Sequence, residues 1–178
     1  MTSKIALSAA VGLILAGCDS YSPSQYQSSP SNVIALQSIA ATGKTASVGT
    51  VTVAEGVNAR PTCRLAGPID VGGGVDIATA VKQALQAEFL AGDIYSASGI
   101  PINVEITELK PDSVVGQWTL GLKVDSAKGA GFNTRTIHKF TTSFSAAAAC
   151  NNTADAFNRA LASGLNKIVT DPRFRNLL

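Results

Sequence analysis

Ile100-Pro101-Ile102-Asn103-Val104-Glu105-Ile106-Thr107 and, eleven residues on, Trp118-Thr119-Leu120-Gly121-Leu122-Lys123-Val124-Asp125 place a large apolar side chain at every second position. Successive side chains of an extended chain point to opposite faces, so each stretch reads as a strand with one buried and one wetted side. Pro111-Asp112-Ser113 turns the chain between them, and a loop through Gly129 and Gly131 leads to a third strand over about 132–144. The spacing predicts three consecutive antiparallel strands.

On the amino-terminal side, Gly72-Gly73-Gly74 opens into a helix over 76–91, where Ile77, Val81, Leu85 and Phe89 recur at four-residue steps. Asp76 is placed to cap it and Gly92 to end it. Burying such a stripe contributes about 1.5–3 kcal/mol per large side chain before entropy is subtracted, so the helix needs a sheet to cover. On the carboxy-terminal side, Phe157, Leu161, Leu165, Ile168 and Val169 mark a second helix over about 153–170. Asn152 or Thr153 begins it, and Asp171-Pro172 stops it before a last turn carrying Phe174, Leu177 and Leu178. The segments 32–40 and 45–55 alternate in part, with Gly43 and Lys44 between them, and read as an opening pair of strands. A further short extended segment is expected over 63–71, where Cys63 and Leu65 flank Arg64. The expectation is an α+β domain, an antiparallel sheet of about five strands with two helices packed on one face.

A chain of 178 residues, 46% hydrophobic and 15% charged, suits one globular domain with a core. Its net charge of +2 gives no electrostatic reason to expect nucleic acid, and at 6% aromatic residues no base-stacking platform is advertised.

The first residues carry a different signal. Lys4 precedes an apolar run over 5–16, too short for a permanent span of about 20 residues, and Leu15-Ala16-Gly17-Cys18 follows at once. This tetrapeptide resembles the lipobox of bacterial lipoproteins. The resemblance implies cleavage before Cys18 and acylation of that cysteine, with each buried acyl methylene contributing about 0.8 kcal/mol to attachment. Cleavage removes Lys4 alone among the charged residues. Three segments are therefore expected: a signal peptide over 1–17, the lipidated Cys18 with a flexible tether over 18–31, and one periplasmic domain over 32–178. The tether, rich in Ser, Pro and Gln, would hold the domain on the order of 20 Å from the headgroups as a random coil. Asp19 resembles an inner-membrane retention signal, so the anchor falls on the periplasmic face of the inner or the outer membrane.

With Cys18 acylated, Cys63 and Cys150 remain, and in an oxidising compartment the economical reading is a disulfide between them. No catalytic constellation is found. Gly43-Lys44-Thr45 ends like a phosphate-binding loop, but Ser38 stands where its first glycine is needed. Gly72 to Gly74 reads as a hinge before a helix. His138, the single histidine, has no second histidine for zinc and reads as an exposed or hydrogen-bonded strand residue. Glu105 and Glu108 stand an odd step apart and are expected on opposite faces of their strand. Neither a cofactor nor a metal is implied.

The lipobox, the polar tether, Phe89 and Tyr95 leading into Ile102-Asn103-Val104-Glu105-Ile106, the Trp118 strand and the closing Ala160-Leu161-Ala162-Ser163-Gly164-Leu165 helix resemble the YajG-like small lipoproteins. More distantly the element order is similar to LptE-like assembly lipoproteins and to auxiliary lipoproteins of lipid transporters. The resemblance implies a non-enzymatic accessory or assembly factor that meets an envelope protein through a sheet edge or helix face. A carrier or sensor of a small apolar ligand held near Trp118 and Phe89 is the alternative. A periplasmic hydrolase would need Glu108, Asp112 and His138 gathered in one cleft.

Overall fold

The computed structural model describes residues 24–64 and 67–178. The signal segment, Leu15, Ala16, Gly17 and Cys18, as well as Leu65, lie outside the described residues. The elements are helix α1 (Pro30–Ala40), strands β1 (Ala46–Val53), β2 (Thr62–Cys63) and β3 (Gly67–Pro68), helix α2 (Ile77–Ala91), strands β4 (Ile100–Asp112), β5 (Gln117–Ser126) and β6 (Gly129–Lys139), helix α3 (Ala146–Val169) and a 3-10 turn at Pro172–Leu177.

The alternating stretches form β4 and β5, and β4, β5 and β6 pair antiparallel as their pattern predicts. Register sets Ile106 against Leu122 and Val124 against Phe132, so the apolar positions of three strands share one face. The fold class is α+β, but the sheet differs from expectation. It has four strands in the order β1-β4-β5-β6, and β1 runs parallel to β4, with Ala46 beside Ile100 and Val53 beside Ile106. The α2 crossover imposes this, because a helix between two strands returns the chain to the same end of the sheet. β2 and β3 form a separate two-stranded sheet.

The segment 32–40, expected as a strand, is helix α1. Pro30 occupies its first turn, where a missing N–H costs nothing. Its buried residues are Asn32, Leu36 and Ile39, at helical spacing. A strand would have put Ile34, which is 65% exposed, on the same side as Leu36. β6 ends at Lys139 rather than near 144, and α3 starts at Ala146, seven residues before the expected Thr153. The alanines from 146 to 149 have the highest helix propensity of any residue and let the helix begin early.

There are three helices, not two. α2 packs on β1, α3 packs on β5 and β6, and α1 lies against both α2 and α3. Asp76 caps α2 by accepting from the Thr79 amide at 2.9 Å, and Gly92 follows its last residue, as the sequence indicates. Ile102, Val104, Ile106, Trp118, Leu120, Leu122 and Val124 meet Leu85, Phe89, Phe157, Leu161 and Leu165 in one core. α3 approaches the sheet closely at Gly164, where a Cβ would stand 2.8 Å from Leu120 Cδ2. The final turn buries Phe174, whose ring lies 6.3 Å from that of Phe89.

A disulfide joins Cys63 to Cys150 with the two Cα atoms 5.6 Å apart. It fastens the small sheet to the first turns of α3.

Candidate functional site

The α2 stripe carries a charge that its apolar neighbours conceal. Glu88 lies beside Leu85 and Phe89 on the buried face and is fully enclosed. A lone buried carboxylate is expensive, so its partners matter. They come from the amino-terminal segment: Glu88 Oε1 accepts from the Tyr26 hydroxyl at 2.5 Å, the Ser29 amide at 3.0 Å and Asn32 Nδ2 at 2.9 Å. Asn32 also donates to the Ala162 carbonyl at 3.1 Å and accepts from Asn166 Nδ2 at 2.8 Å. The polar chain α2–α1–α3 is thus joined through one amide side chain. Burial first, and the bond to Glu88 second, push the Tyr26 phenol above its ordinary range, so it remains a proton donor.

The expected tether therefore needs correction over its described part. Residues 24–29 form a strap lying across α2 and α3, the Ser24 carbonyl accepts from the Asn158 side chain, and α1 begins at Pro30. Composition favoured disorder, but a buried carboxylate with two strap donors, Tyr26 and Ser29, supplies the enthalpy to order it. A groove of about 610 Å³ runs under the strap, bounded by Tyr26, Gly72, Gln83, Ala87, Phe157 and Leu161. The glycine segment beside it is latched, since Asp70 accepts from the amides of Gly72 and Gly74.

A second construction stands at the end of the sheet. Arg64 adopts a left-handed backbone, with φ 49°, and sends its guanidinium into two loops. Nη2 donates to the carbonyls of Ser113 at 3.1 Å and Ser143 at 2.8 Å, while Nη1 donates to that of Phe144 at 3.2 Å. The Thr142 hydroxyl also donates to the Ser113 carbonyl. These bonds draw together two loops whose tips are apolar and outward: Val114 is 69% exposed, Val115 65%, and Phe144 is fully exposed. Asp112 fixes the first loop by accepting from the amides of Val114 and Val115. The Cys63–Cys150 disulfide lies next to this arginine in the chain.

The face of the sheet away from the helices is ionic. Glu105 pairs with Lys123 at 3.3 Å, and Glu108 pairs with Arg135 at 2.7 Å and Lys110 at 3.1 Å. A register shift between Ile106 and Glu108 brings the two glutamates to the same face, against the expectation that an odd step separates them. The two share no cation, and the Arg135 guanidinium holds the Glu108 carboxyl below its usual range.

His138 faces the opposite way, toward α3, with Nδ1 3.2 Å from Ser163 Oγ. This matches the hydrogen-bonded strand residue expected from the sequence. Burial, with Arg159 nearby, lowers its proton affinity. Glu108 lies on the outer face of β4, Asp112 ends that strand and is bonded to the turn after it, and His138 faces α3, so the three are not gathered. Lys44 donates to the carbonyls of Arg175 and Leu178, both at 2.9 Å, and anchors the final turn. Trp118 and Phe89 are sealed in the core; the indole donates to the Thr153 carbonyl at 2.8 Å, and its ring meets that of Phe157 edge-on at 5.3 Å.

Among the described residues no group of three or more His, Cys, Asp or Glu side chains could hold a metal, and no helix is long and apolar enough to cross a membrane. The chain matches no protein-family model, no curated protein and no solved structure.

Sequence reasoning missed Glu88, Asn32 and Arg64. The signal for Glu88 was a charged residue inside an apolar helical stripe. For Asn32 it was the helical spacing to Leu36 and Ile39. Nothing local marks Arg64, whose partners lie 49 to 80 residues away.

Proposed function

We propose that the chain is a lipid-anchored, non-enzymatic accessory or assembly protein of the bacterial envelope, acylated at Cys18 and docking an envelope protein through the apolar tip formed by Val114, Val115 and Phe144. The observation that carries this reading is the tip itself. Large apolar side chains exposed on a loop are usually free to fold back, whereas here a guanidinium and an aspartate hold the backbone so that they stay out. Fixed, exposed apolar clusters mark contact surfaces. The lipobox-like Leu15-Ala16-Gly17-Cys18 supports attachment at the membrane, and the six residues from Cys18 to Ser24 would then hold Ser24 within about 20 Å of the anchor even when fully extended.

Two measurements test it. Mass spectrometry of the mature protein is expected to find an acylated amino-terminal Cys18. A photo-crosslinking residue at Val115, in full-length protein made in living cells, is expected to give one discrete adduct with an envelope protein that Phe144→Asp abolishes. An unacylated chain sinks the anchoring, and acylated protein without an adduct sinks the docking.

A further inference from the structure

The groove between β6 and α3, about 490 Å³, is lined mostly by cationic and neutral polar side chains. Thr136, His138, Arg159, Ser163, Asn166 and Lys167 line it, and none of its lining residues is acidic. Arg159, Ser163 and Lys167 stand at four-residue steps on α3 and so present one face. Neither cation forms an ion pair among the described residues. Lys167 Nζ donates to the Arg135 carbonyl at 2.8 Å, which leaves two of its three protons for another acceptor. Thr136, only 4% exposed, carries a hydroxyl with no hydrogen-bond partner. A buried polar atom left unpaired costs about 1–3 kcal/mol, and an acceptor entering the groove would recover part of that.

We infer that this groove binds the phosphate of an anionic lipid headgroup. The Ser163 hydroxyl donates to the Arg159 carbonyl at 2.8 Å, but a guanidinium, an ammonium, an imidazole and the Thr136 hydroxyl from two elements suit an acceptor with several oxygens and a negative charge. The position selects the lipid source. Ser29 and Ser31 of the strap and α1 form the groove's other wall, and the Ser24 carbonyl is held by Asn158, the neighbour of Arg159. Ser24, the described residue nearest Cys18 in the chain, thus shares a neighbouring hollow with Arg159. This last step rests on the proposed anchoring at Cys18; the anion site itself does not.

The single histidine makes the test direct, because one imidazole signal reports on the site. Full-length mature protein, purified without a histidine tag in neutral detergent, is titrated with glycerophosphoglycerol, inorganic phosphate and acetate at constant ionic strength, and the His138 ring resonances are followed. The glycerophosphodiester is expected to shift them saturably with a Kd on the order of 1 mM or tighter, while acetate leaves them in place. Arg159→Gln with Lys167→Gln is expected to weaken binding at least about tenfold while the ring resonances of Phe89, in the core away from the groove, stay as in the parent. No shift, a shift equal to that of acetate, or unchanged binding by the double variant would overturn the site. A response to inorganic phosphate but not to the diester would overturn the lipid assignment. Acylation of Cys18 is read separately by mass, so a diester response in an unacylated chain sinks the anchoring and leaves the anion site standing.

Discussion

The two halves of α3 are secured by different physics. Its first half is fastened by the Cys63–Cys150 disulfide, the indole bond from Trp118 to Thr153 and the edge contact of Trp118 with Phe157. Its second half is joined to α1 and α2 through Asn166, Asn32 and the enclosed carboxylate of Glu88. The first fastening is covalent and apolar, so it resists changes of charge and yields only to reductant or a cavity. The second is a chain of polar contacts in which one oxygen serves three donors and the other, Oε2, has none. One substitution there releases the strap as well as the helix. The half of α3 that follows the Phe144 loop is therefore rigid by construction, and the half that meets the strap is held by a device that can let go.

The largest effect belongs to the first half. Closing a loop of 87 residues is worth about 4–5 kcal/mol in the chain-entropy model, so Cys63→Ala with Cys150→Ala should lower the urea midpoint by a corresponding amount. If unfolding is the same in oxidised and reduced protein, the two halves are not differently secured and the comparison fails.

Glu88→Ala comes second, at about 2–3 kcal/mol, because it leaves buried donors on Tyr26 and Asn32 unpaired. The cost is bounded because the strap can swing into water. Hydrogen exchange at the Ser29 amide, bonded to Glu88 in the native state, should accelerate well beyond that of amides in β5. Glu88→Gln keeps an acceptor and should do less. Equal protection in the alanine variant and the parent would show that the strap is held by something else.

This contrast also divides what the sequence could reveal. β4, β5, α2 and the cysteine pair were legible because each rests on a local period or on a residue type with few alternatives. Ile102 to Ile106 alternate, Ile77 to Phe89 step by four, and once Cys18 is set aside as the expected acylation site the remaining two cysteines leave one pairing. The second half was not legible, because its fastening is polar and distant: Glu88 meets Asn32 across 56 residues, and Asn32 meets Asn166 across 134. Asn32-Val33-Ile34 reads as strand on local grounds, since β-branched residues favour extension. Only Pro30 argued for a helix start, and only the tertiary role of Asn32 explains its burial. The parallel placement of β1 beside β4 was missed for the same reason, because the crossover of α2 decides it and not the residues of β1. The apolar tip escaped notice because Val114, Val115 and Phe144 have no period at all; what makes them a surface is an arginine elsewhere in the chain.

A milder probe of the polar half is Asn166→Ala. It removes one amide donor from Asn32 Oδ1 while Asn32 keeps its bonds to Glu88 and Ala162, so about 1 kcal/mol is expected. The loss should not add to that of Glu88→Ala, because both break the same chain. A double variant in which the two losses simply sum would separate α3 from the strap and leave Glu88 as a private contact of α2.

The smallest effect is a pH dependence confined to the second half, where His138 faces Ser163, Arg159 and Lys167. Burial and Arg159 lower the proton affinity of this imidazole from its ordinary value of 6.5. The unfolded chain then binds the proton more readily than the native one, so stability is fully present above that value and declines as pH falls through it. The lowered carboxyls of Asp76, Glu108 and Asp171 act in the same direction but only nearer their own range, around and below pH 4.5. Between about pH 7.5 and about pH 5.5 the histidine is thus the group that matters, and urea midpoints of the parent should fall over that interval. His138→Gln should flatten the dependence, and the disulfide, which has nothing to titrate, should leave it unchanged in the double cysteine variant. A parent and a His138→Gln variant that fall in parallel would place the titrating group elsewhere and remove the distinction between a charge-blind first half and a proton-sensitive second.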